Sequence, residues 1–171
     1  MSKAVLISIR PKWCEKIISG EKTIEVRKTR PKMNPPFKCY IFRSVQGGVI
    51  GEFVCDDIFE RIVRVGTSCE PPKYCICAWN MDCTPLDTLL ADACLTKDEL
   101  EKYLDGGVGY GWHISNLKIY DTPRKLSEFK GLCKVESDCC ACPYYNYSKM
   151  DCDGRTIKRP PQSWRYVEDQ I

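Results

Sequence analysis

Residues 19–28 read Ser-Gly-Glu-Lys-Thr-Ile-Glu-Val-Arg-Lys, and this stretch decides the fold. Gly20 is a natural end for a helix, because glycine enters the left-handed conformation without a Cβ clash. After Gly20 the side chains alternate with a period of two, which predicts a strand. Ile24 and Val26 then share one face of this strand, and Glu25 and Arg27 share the other. Taken alone, the polar face is explained by a solvated strand whose ion pair contributes at most about 1 kcal/mol.

The spacing of the polar residues adds a second interpretation. Gly20, Lys22, Glu25 and Arg27 complete the pattern G-x-K-x-x-E-x-R, directly after a short amphipathic helix. This pattern resembles the signature of the ASCH domain family, and the later block Gly109–Ile114 resembles that family's closing barrel strand. The resemblance extends over residues 1–120 and implies an α+β fold, a PUA-like small mixed β-barrel with flanking helices.

The rest of the chain is divided into elements by its hydrophobic periodicity and its turn residues. Strands are predicted over Ala4–Ile9, over Lys38–Arg43, as one long bent strand over Val49–Val63, and over Tyr110–Tyr120. Helices are predicted for about ten residues from Pro11, from residue 84 or 85 to Ala93, and from the capping box Thr96–Glu99 through Leu104. The region Cys69–Cys83, with its pair of prolines, is predicted to be a loop.

Length and composition favour one domain with an appendage. The chain has 171 residues, and its composition shifts after Asp121. We therefore predict an ASCH (PUA-like) domain over residues 1–125 and a cysteine-rich C-terminal extension over 126–171, packed on the barrel. The end of the chain, residues 159–167, contains two prolines and large aromatic side chains, and it is predicted to be an extended strap that covers a barrel edge rather than a ligand contact.

Charge and hydropathy limit the classes of function. The net charge of +3 is too small to indicate tight, non-specific binding to long duplex DNA, although the first 38 residues are strongly basic. No apolar stretch is long enough for a membrane span, and the apolar part of the N-terminus is too short for a signal peptide. Thirteen cysteines without a secretion signal favour reduced thiols, metal ligands or core-filling side chains over disulfides. The sequence predicts a cytoplasmic protein.

The resemblance implies chemistry on nucleic acids or nucleosides. ASCH proteins include RNA-associated proteins, a ribonuclease and an amidohydrolase that deacetylates N4-acetylcytidine. In the amidohydrolase branch the motif lysine, which Lys22 matches, works with a threonine three residues later. Here that position is Glu25. The nucleophile is therefore missing, and the chain does not resemble an amidohydrolase of that type.

The residues themselves favour a binding cleft. Lysine beside a carboxylate can anchor a charged ligand or transfer a proton, and arginine presents a planar fork to a phosphate or a base edge. The candidate ligand-binding residues are Arg10, Lys22, Glu25, Arg27, Tyr110 and Trp112. The last two would stack on bases, although at least one of them is expected in the core. Trp13 is expected on the core face of its helix, and His113, the only histidine, is expected to be structural.

The main prediction is therefore a protein that binds RNA or a modified nucleoside in the cleft of the motif. The alternative is an enzyme, a ribonuclease or a hydrolase of nucleoside derivatives, that uses Lys22 and Glu25 as catalytic residues. A third class is a structural module that contacts a protein partner. The competing structural interpretation of the motif is that Glu25 and Arg27 hold the strand to the following loop.

The C-terminal cysteines are candidates for a metal site. Cys133, Cys139, Cys142 and Cys152 could hold a tetrahedral zinc ion, with Cys140 as a substitute ligand, and a structural zinc would stabilise a segment that is poor in core residues. Cys69, Cys75, Cys77 and Cys83 have no standard metal spacing. No cofactor is required for the predicted binding function.

Overall fold

The protein is described by a computed structural model that covers residues 2–45, 47–65, 73–77, 83–84, 86–133, 145–146, 151–152 and 155–170. The chain divides into two compact units, each built from separate parts of the sequence. Unit 1 consists of Met1–Pro11, Lys38–Glu52 and Lys118–Ile171, and unit 2 consists of Lys12–Phe37 and Phe53–Leu117. The domain boundary between residues 125 and 126 stays a prediction.

The elements follow one another in a mixed α+β order. The strands are β1 (Lys3–Ile9), β2 (Ile24–Arg27), β3 (Phe37–Arg43), β4 (Val49–Cys55), β5 (Ile58–Val65), β6 (Lys73–Cys77), β7 (Cys83–Thr84), β8 (Gly109–His113), β9 (Ser115–Arg124), β10 (Tyr145–Asn146), β11 (Asp151–Cys152) and β12 (Trp164–Glu168). The helices are α1 (Pro11–Ile18), α2 (Leu86–Ala93) and α3 (Lys97–Leu104), with a short 3₁₀ turn at Leu126–Glu128. The predicted α+β class is confirmed.

The first sheet is mixed, with the strand order β12-β1-β3-β4-β9. β1 runs parallel to β3 and antiparallel to β12. In unit 1 the buried side chains of this sheet include Leu6, Tyr40 and Val167, and Phe129 packs edge-on against Tyr40. The end of the C-terminal tail, Trp164–Glu168, thus forms an edge strand along β1, as expected for an extended strap.

The second sheet has the strand order β2-β8-β5-β6-β7. Within unit 2, Ile24 and Val26 lie in one buried cluster with residues of α2 and α3, among them Leu89 and Leu104. A Cβ at Gly109 would come within 2.7 Å of the Leu104 side chain, so this glycine lets α3 pack closely on β8. The alternation predicted for the motif strand therefore places its apolar side chains beneath the helices.

Two strands that the sequence predicts as continuous are each broken in the structure. The predicted strand Val49–Val63 is divided at Asp56 and Asp57 into β4 and β5, and Tyr110–Tyr120 is divided at Ile114 into β8 and β9. In both cases the two halves belong to different sheets. Alternating side chains predict an extended backbone, but they do not reveal where a strand exchanges one partner for another.

The two breaks lie against each other within unit 2. The His113 amide donates a hydrogen bond to the Asp57 carbonyl oxygen at 3.0 Å, and the Ser115 hydroxyl donates one to the Val54 carbonyl oxygen at 2.9 Å. Polar groups that would be unpaired where the strands end thereby find partners. This mutual pairing explains why the chain changes sheets at these two positions together.

The loop predicted over Cys69–Cys83 is wrong in its central part. Residues 73–77 form β6, which pairs with β5, and residues 83–84 form β7 at its side. A proline pair excludes a long helix from this region, but it leaves a strand free to begin after it. β6 pairs antiparallel with β5, the strand that precedes it in the chain, with Val65 opposite Lys73.

The helix boundaries agree with the sequence. Gly20 has a φ of +79°, as expected for a residue that ends a helix, although α1 itself stops at Ile18. The capping box at the start of α3 is complete, with Thr96 and Glu99 each bonded to the other's backbone amide. At the C-terminus of α3 both Asp105, with a φ of +51°, and Gly106, with a φ of +75°, have a positive φ. In the described part of the chain, none of the helices has the length and apolar character needed to cross a bilayer.

Candidate functional site

Three charged side chains of the motif form a continuous chain of ion pairs in unit 2. The Lys22 ammonium lies 3.3 Å from Glu25 Oε2, and Glu25 Oε1 lies 2.9 Å from Arg27 Nη2. All three residues are buried, with 3%, 6% and 8% of their surfaces exposed. Burial of charges is tolerated only when each is paired and hydrogen-bonded, and here each carboxylate oxygen of Glu25 faces a different cation.

Lys22 is tied to the backbone on both sides. Its Nζ donates hydrogen bonds of 2.7 Å to the carbonyl oxygens of Ile24 and Ala93. Ala93 is the last residue of α2, where a cation complements the unpaired carbonyl groups and the negative end of the helix dipole. The Thr23 amide also donates to the Asp92 carbonyl oxygen at 2.9 Å. Lys22 therefore joins β2 to the C-terminus of α2.

Because of these contacts, the three charged residues of the motif have different roles. The ammonium hydrogens of Lys22 are directed at two carbonyl oxygens and a carboxylate, so a ligand phosphate would have to displace one of them. The exposed fraction of the side chain rises from 2% for Lys22 to 8% for Glu25 and 10% for Arg27. Arg27 is thus the least buried of the three, by a small margin over Glu25, whose carboxylate holds its guanidinium.

The predicted stacking residues lie on the neighbouring strand. β8 pairs with β2 in antiparallel register, with Tyr110 opposite Arg27 and Trp112 opposite Glu25. The Trp112 ring has no exposed surface and packs edge-on against Phe37, with the ring centres 6.0 Å apart. A ligand cannot stack on Trp112 in this conformation. Tyr110 is half-buried, and its side chain is on the same face as that of Arg27, since directly opposed residues share a face.

Trp13 of the first helix lies next to Lys22 of the motif, and Lys12 lies next to Trp13. Trp13 is half-buried, and the Nζ atoms of Lys22 and Lys12 lie 5.2 Å and 4.4 Å from its ring centre. The prediction from helix periodicity placed Trp13 on the core face, and it did not identify this partial exposure. A basic residue next to an aromatic residue at a helix start is the signal that could have found the pair. Arg10, in unit 1, is exposed at the end of β1.

His113 belongs to the junction of broken strands. Its Nδ1 lies 2.6 Å from Asp56 Oδ1, in a partly exposed pair. Burial raises the pKa of the Asp56 carboxyl, but the hydrogen bond with His113, together with further hydrogen bonds, outweighs that effect and leaves the pKa below its usual value. The side chain thus helps to hold the junction, in agreement with the structural role expected from the sequence.

The predicted zinc ligands fall in different parts of the chain. Cys133 is exposed and Cys152 is buried, whereas Cys139, Cys142 and the substitute Cys140 lie outside the described residues. Within the described ranges, no group of three or more histidine, cysteine or acidic side chains could hold a metal ion. The zinc site therefore stays a prediction, which metal analysis of the purified protein would test.

Comparison with known proteins identifies the family. The sequence model of the ASCH domain matches residues 7–103, which include the whole motif. This chain belongs to the ASCH family. The matched segment contains α1, the motif strand and both helices that pack on it, so the residues that form the buried ion cluster belong to the shared domain.

Solved structures support the same fold for this ASCH protein. The chain is similar to the crystal structure of ASCH from Zymomonas mobilis, with a TM-score of 0.59, 18% identity, and coverage of 96% of this chain and 87% of the other. A serine-to-alanine mutant of that protein gives a TM-score of 0.58 at 17% identity, covering 96% and 88%. A tyrosine-to-phenylalanine mutant gives 0.52 at 20% identity, covering 73% and 77%. No curated protein matches the chain. The predicted PUA-like fold is confirmed.

Proposed function

We propose that this ASCH protein binds RNA or a modified nucleoside through the outer end of its motif, with Arg27 as the principal ligand contact. The observation that carries the proposal is the chain of ion pairs from Lys22 through Glu25 to Arg27, which fixes the guanidinium on the face of β2 that it shares with the half-buried Tyr110 of β8. A guanidinium held in one orientation has lost its freedom before the ligand arrives, and its planar fork suits a phosphate or a base edge.

The roles predicted for the motif residues are revised within this proposal. Glu25 and Lys22 act as positioning residues, because both are almost completely buried and Lys22 is bonded to two carbonyl oxygens. Tyr110 offers a partly exposed aromatic edge for a base. Trp112 supports the strand from the core. Arg10 and the cytoplasmic location remain parts of the proposal that rest on the sequence alone.

The alternative of an enzyme that uses Lys22 and Glu25 has less support from the geometry. A lysine can exchange protons with a carboxylate 3.3 Å away, but a catalytic residue must also touch the substrate. The Lys22 side chain has only 2% of its surface exposed. Catalysis by this pair would require the substrate to break the hydrogen bond between the Lys22 ammonium and the Ala93 carbonyl oxygen of α2.

The test is a titration of the purified protein with labelled single-stranded RNA of about twelve nucleotides at low and moderate salt. Binding and cleavage are followed on the same gel, and a panel of modified nucleosides is titrated in parallel. Wild-type protein should bind with an affinity that falls as salt rises, and the RNA should stay intact. Arg27→Lys, which keeps the charge and removes the fork, should weaken binding about ten-fold or more.

Two controls make this result specific. Lys97→Ala removes one exposed cation, which lies 3.9 Å from Glu101, and should leave binding unchanged. Thermal unfolding of Arg27→Lys separates a loss of binding from a loss of fold. Absence of binding to RNA and to every nucleoside at low salt would overturn the proposal. Loss of full-length RNA that disappears in Glu25→Gln would instead support the enzyme.

A further inference from the structure

A second polar surface lies on the outer side of α3 in unit 2. We name it the α3 surface and define it by the residues Lys12, Trp13, Lys28, Glu99 and Tyr103. Lys12 Nζ lies 3.4 Å from Glu99 Oε1, and Lys28 Nζ lies 5.5 Å from the ring centre of Tyr103. None of these residues belongs to the motif pattern, and the proposed function does not use Lys28, Glu99 or Tyr103.

Helix geometry places the two α3 residues side by side. Glu99 and Tyr103 are four residues apart, so they are separated by about one turn along the same side of the helix. Leu100 and Leu104, on the side that faces the core, are buried. Tyr103 keeps 40% of its surface exposed. The α3 surface therefore presents an aromatic ring to solvent, with Lys28 over the ring and Lys12 bonded to Glu99 one turn away.

Each aromatic ring of this surface is covered by a lysine in the free protein. Lys12 lies over Trp13 at 4.4 Å, and Lys28 lies over Tyr103 at 5.5 Å. An exposed cation–π contact changes an equilibrium only about 2- to 5-fold, whereas loss of one stacked base weakens binding about 5- to 100-fold. A base would therefore displace the ammonium from the ring, and the released lysine would lie beside the phosphate of the same nucleotide.

The α3 surface continues from the proposed binding site. Lys28 follows Arg27 directly in the chain, and the Trp13 ring also contacts Lys22. Arg27, the last residue of β2, alternates with Ile24 and Val26, whose side chains pack against α2 and α3, and so points to the opposite face. Lys28 lies just past the end of β2 on the helix side, with its ammonium over the Tyr103 ring of α3. Because β2 is an edge strand of its sheet, a flexible polymer can pass around it from one residue to the other. A rigid duplex cannot follow such a path.

We infer that the ligand is single-stranded RNA rather than a free nucleoside, and that nucleotides flanking the one at Arg27 bind to the α3 surface. Tyr103 stacks on a base, and Lys28 and Lys12 neutralise phosphates. This inference rests on the proposed function and names its ligand class. The carboxylate of Glu99 repels a phosphate and therefore weakens RNA binding at this part of the α3 surface. The exposed Lys12–Glu99 pair costs little to break.

The experiment compares variants in the same RNA titration. Tyr103→Ala should weaken binding of the twelve-nucleotide RNA about ten-fold, and Tyr103→Phe, which keeps the ring, should restore it. Lys28→Ala should weaken binding several-fold and reduce the slope of log affinity against log salt by about 0.7, whereas Lys97→Ala, on the other side of α3, should change neither. Glu99→Gln preserves the capping box and should tighten binding.

The outcomes separate this inference from the proposed function. If Arg27→Lys loses binding but Tyr103→Ala binds like wild-type protein, the α3 surface is not part of the site and the inference is wrong, while the proposed function stands. If a free nucleoside binds as tightly as the RNA, or duplex RNA or single-stranded DNA of the same sequence does, the ligand class is wrong. If no RNA binds at low salt, both are overturned.

Discussion

Two lysine–glutamate pairs of this protein have nearly the same length and opposite surroundings. Lys22 and Glu25 are 3.3 Å apart with 2% and 8% of their side chains exposed, whereas Lys12 and Glu99 are 3.4 Å apart with 63% and 43% exposed. The distance therefore does not distinguish them. The two pairs differ in solvent exposure, because water screens the attraction between Lys12 and Glu99 and is excluded from the pair of Lys22 and Glu25. The buried pair supports the fold, and the exposed pair is available to a ligand.

The difference reflects the number of partners as well as the solvent. Glu25 is shared between two cations, and Lys22 also bonds to two carbonyl oxygens. Removing one member leaves buried charges and carbonyl groups without compensation. Removing a member of the exposed pair leaves its partner in water. Mutation should therefore reveal the contrast as a difference in the free energy of unfolding.

The largest effect is expected from Lys22→Ala. This change removes the cation from Glu25 and from the C-terminus of α2, and it should lower the free energy of unfolding by about 3–5 kcal/mol. Urea denaturation followed by circular dichroism measures it. Lys16→Ala, which removes a lysine from a pair with Glu21 that is 35% and 59% exposed, is the matched control and should lower the free energy of unfolding far less than Lys22→Ala does. Equal losses in the two variants would contradict the contrast.

A smaller effect is expected from Thr96→Ala at the start of α3. The Thr96 hydroxyl accepts a hydrogen bond from the Glu99 amide at 3.1 Å, and its removal should cost about 1 kcal/mol of stability. Thr96→Ser should retain the cap, and Thr88→Ala, at an exposed position within α2, should be neutral or slightly stabilising. A loss of several kcal/mol in Thr96→Ala would contradict this prediction. It would mean that the start of α3 contributes more to the stability of the core than its exposed charged residues indicate.

Acid should weaken the exposed end of α3 in a way that depends on Glu99. The hydrogen bond from the Thr96 amide, and then the contact with Lys12, lower the pKa of this carboxyl below its ordinary value of 4.5. A lowered pKa in the folded state contributes stability that is present above about pH 4.5 and is lost as the pH falls through the folded pKa. Thermal unfolding between pH 7 and pH 3 should therefore show a smaller decrease in Glu99→Gln than in wild-type protein. Identical pH profiles would argue against the cap–lysine arrangement.

The smallest effect on stability is expected from Lys12→Ala, below about 0.5 kcal/mol, since both partners of the pair are exposed. The same variant should weaken binding of single-stranded RNA and reduce its salt dependence. This combination sharpens the comparison, because the main effect of Lys22→Ala should be a large loss of stability. A Lys12→Ala protein with unchanged stability and unchanged RNA affinity would limit the α3 surface to Lys28 and Tyr103.

Local patterns predicted several features well. The end of the first helix at Gly20 follows from glycine's access to positive φ, and the start of α3 follows from the spacing of Thr96 and Glu99. The alternation of the motif strand predicted correctly that Ile24 and Val26 share a buried face. In each case the physical cause acts between residues that are neighbours in the chain.

Other features depended on contacts between distant residues. The burial of Lys22 comes from a hydrogen bond to Ala93, 71 residues away. The division of two predicted strands comes from the junction at Asp57 and His113, and the choice between Tyr110 and Trp112 as the exposed ring comes from the position of Phe37. The sequence by itself determined the family, the motif and the helix ends. Only the tertiary structure decided which of its charges are shielded from water, because shielding depends on segments that meet after the chain has folded.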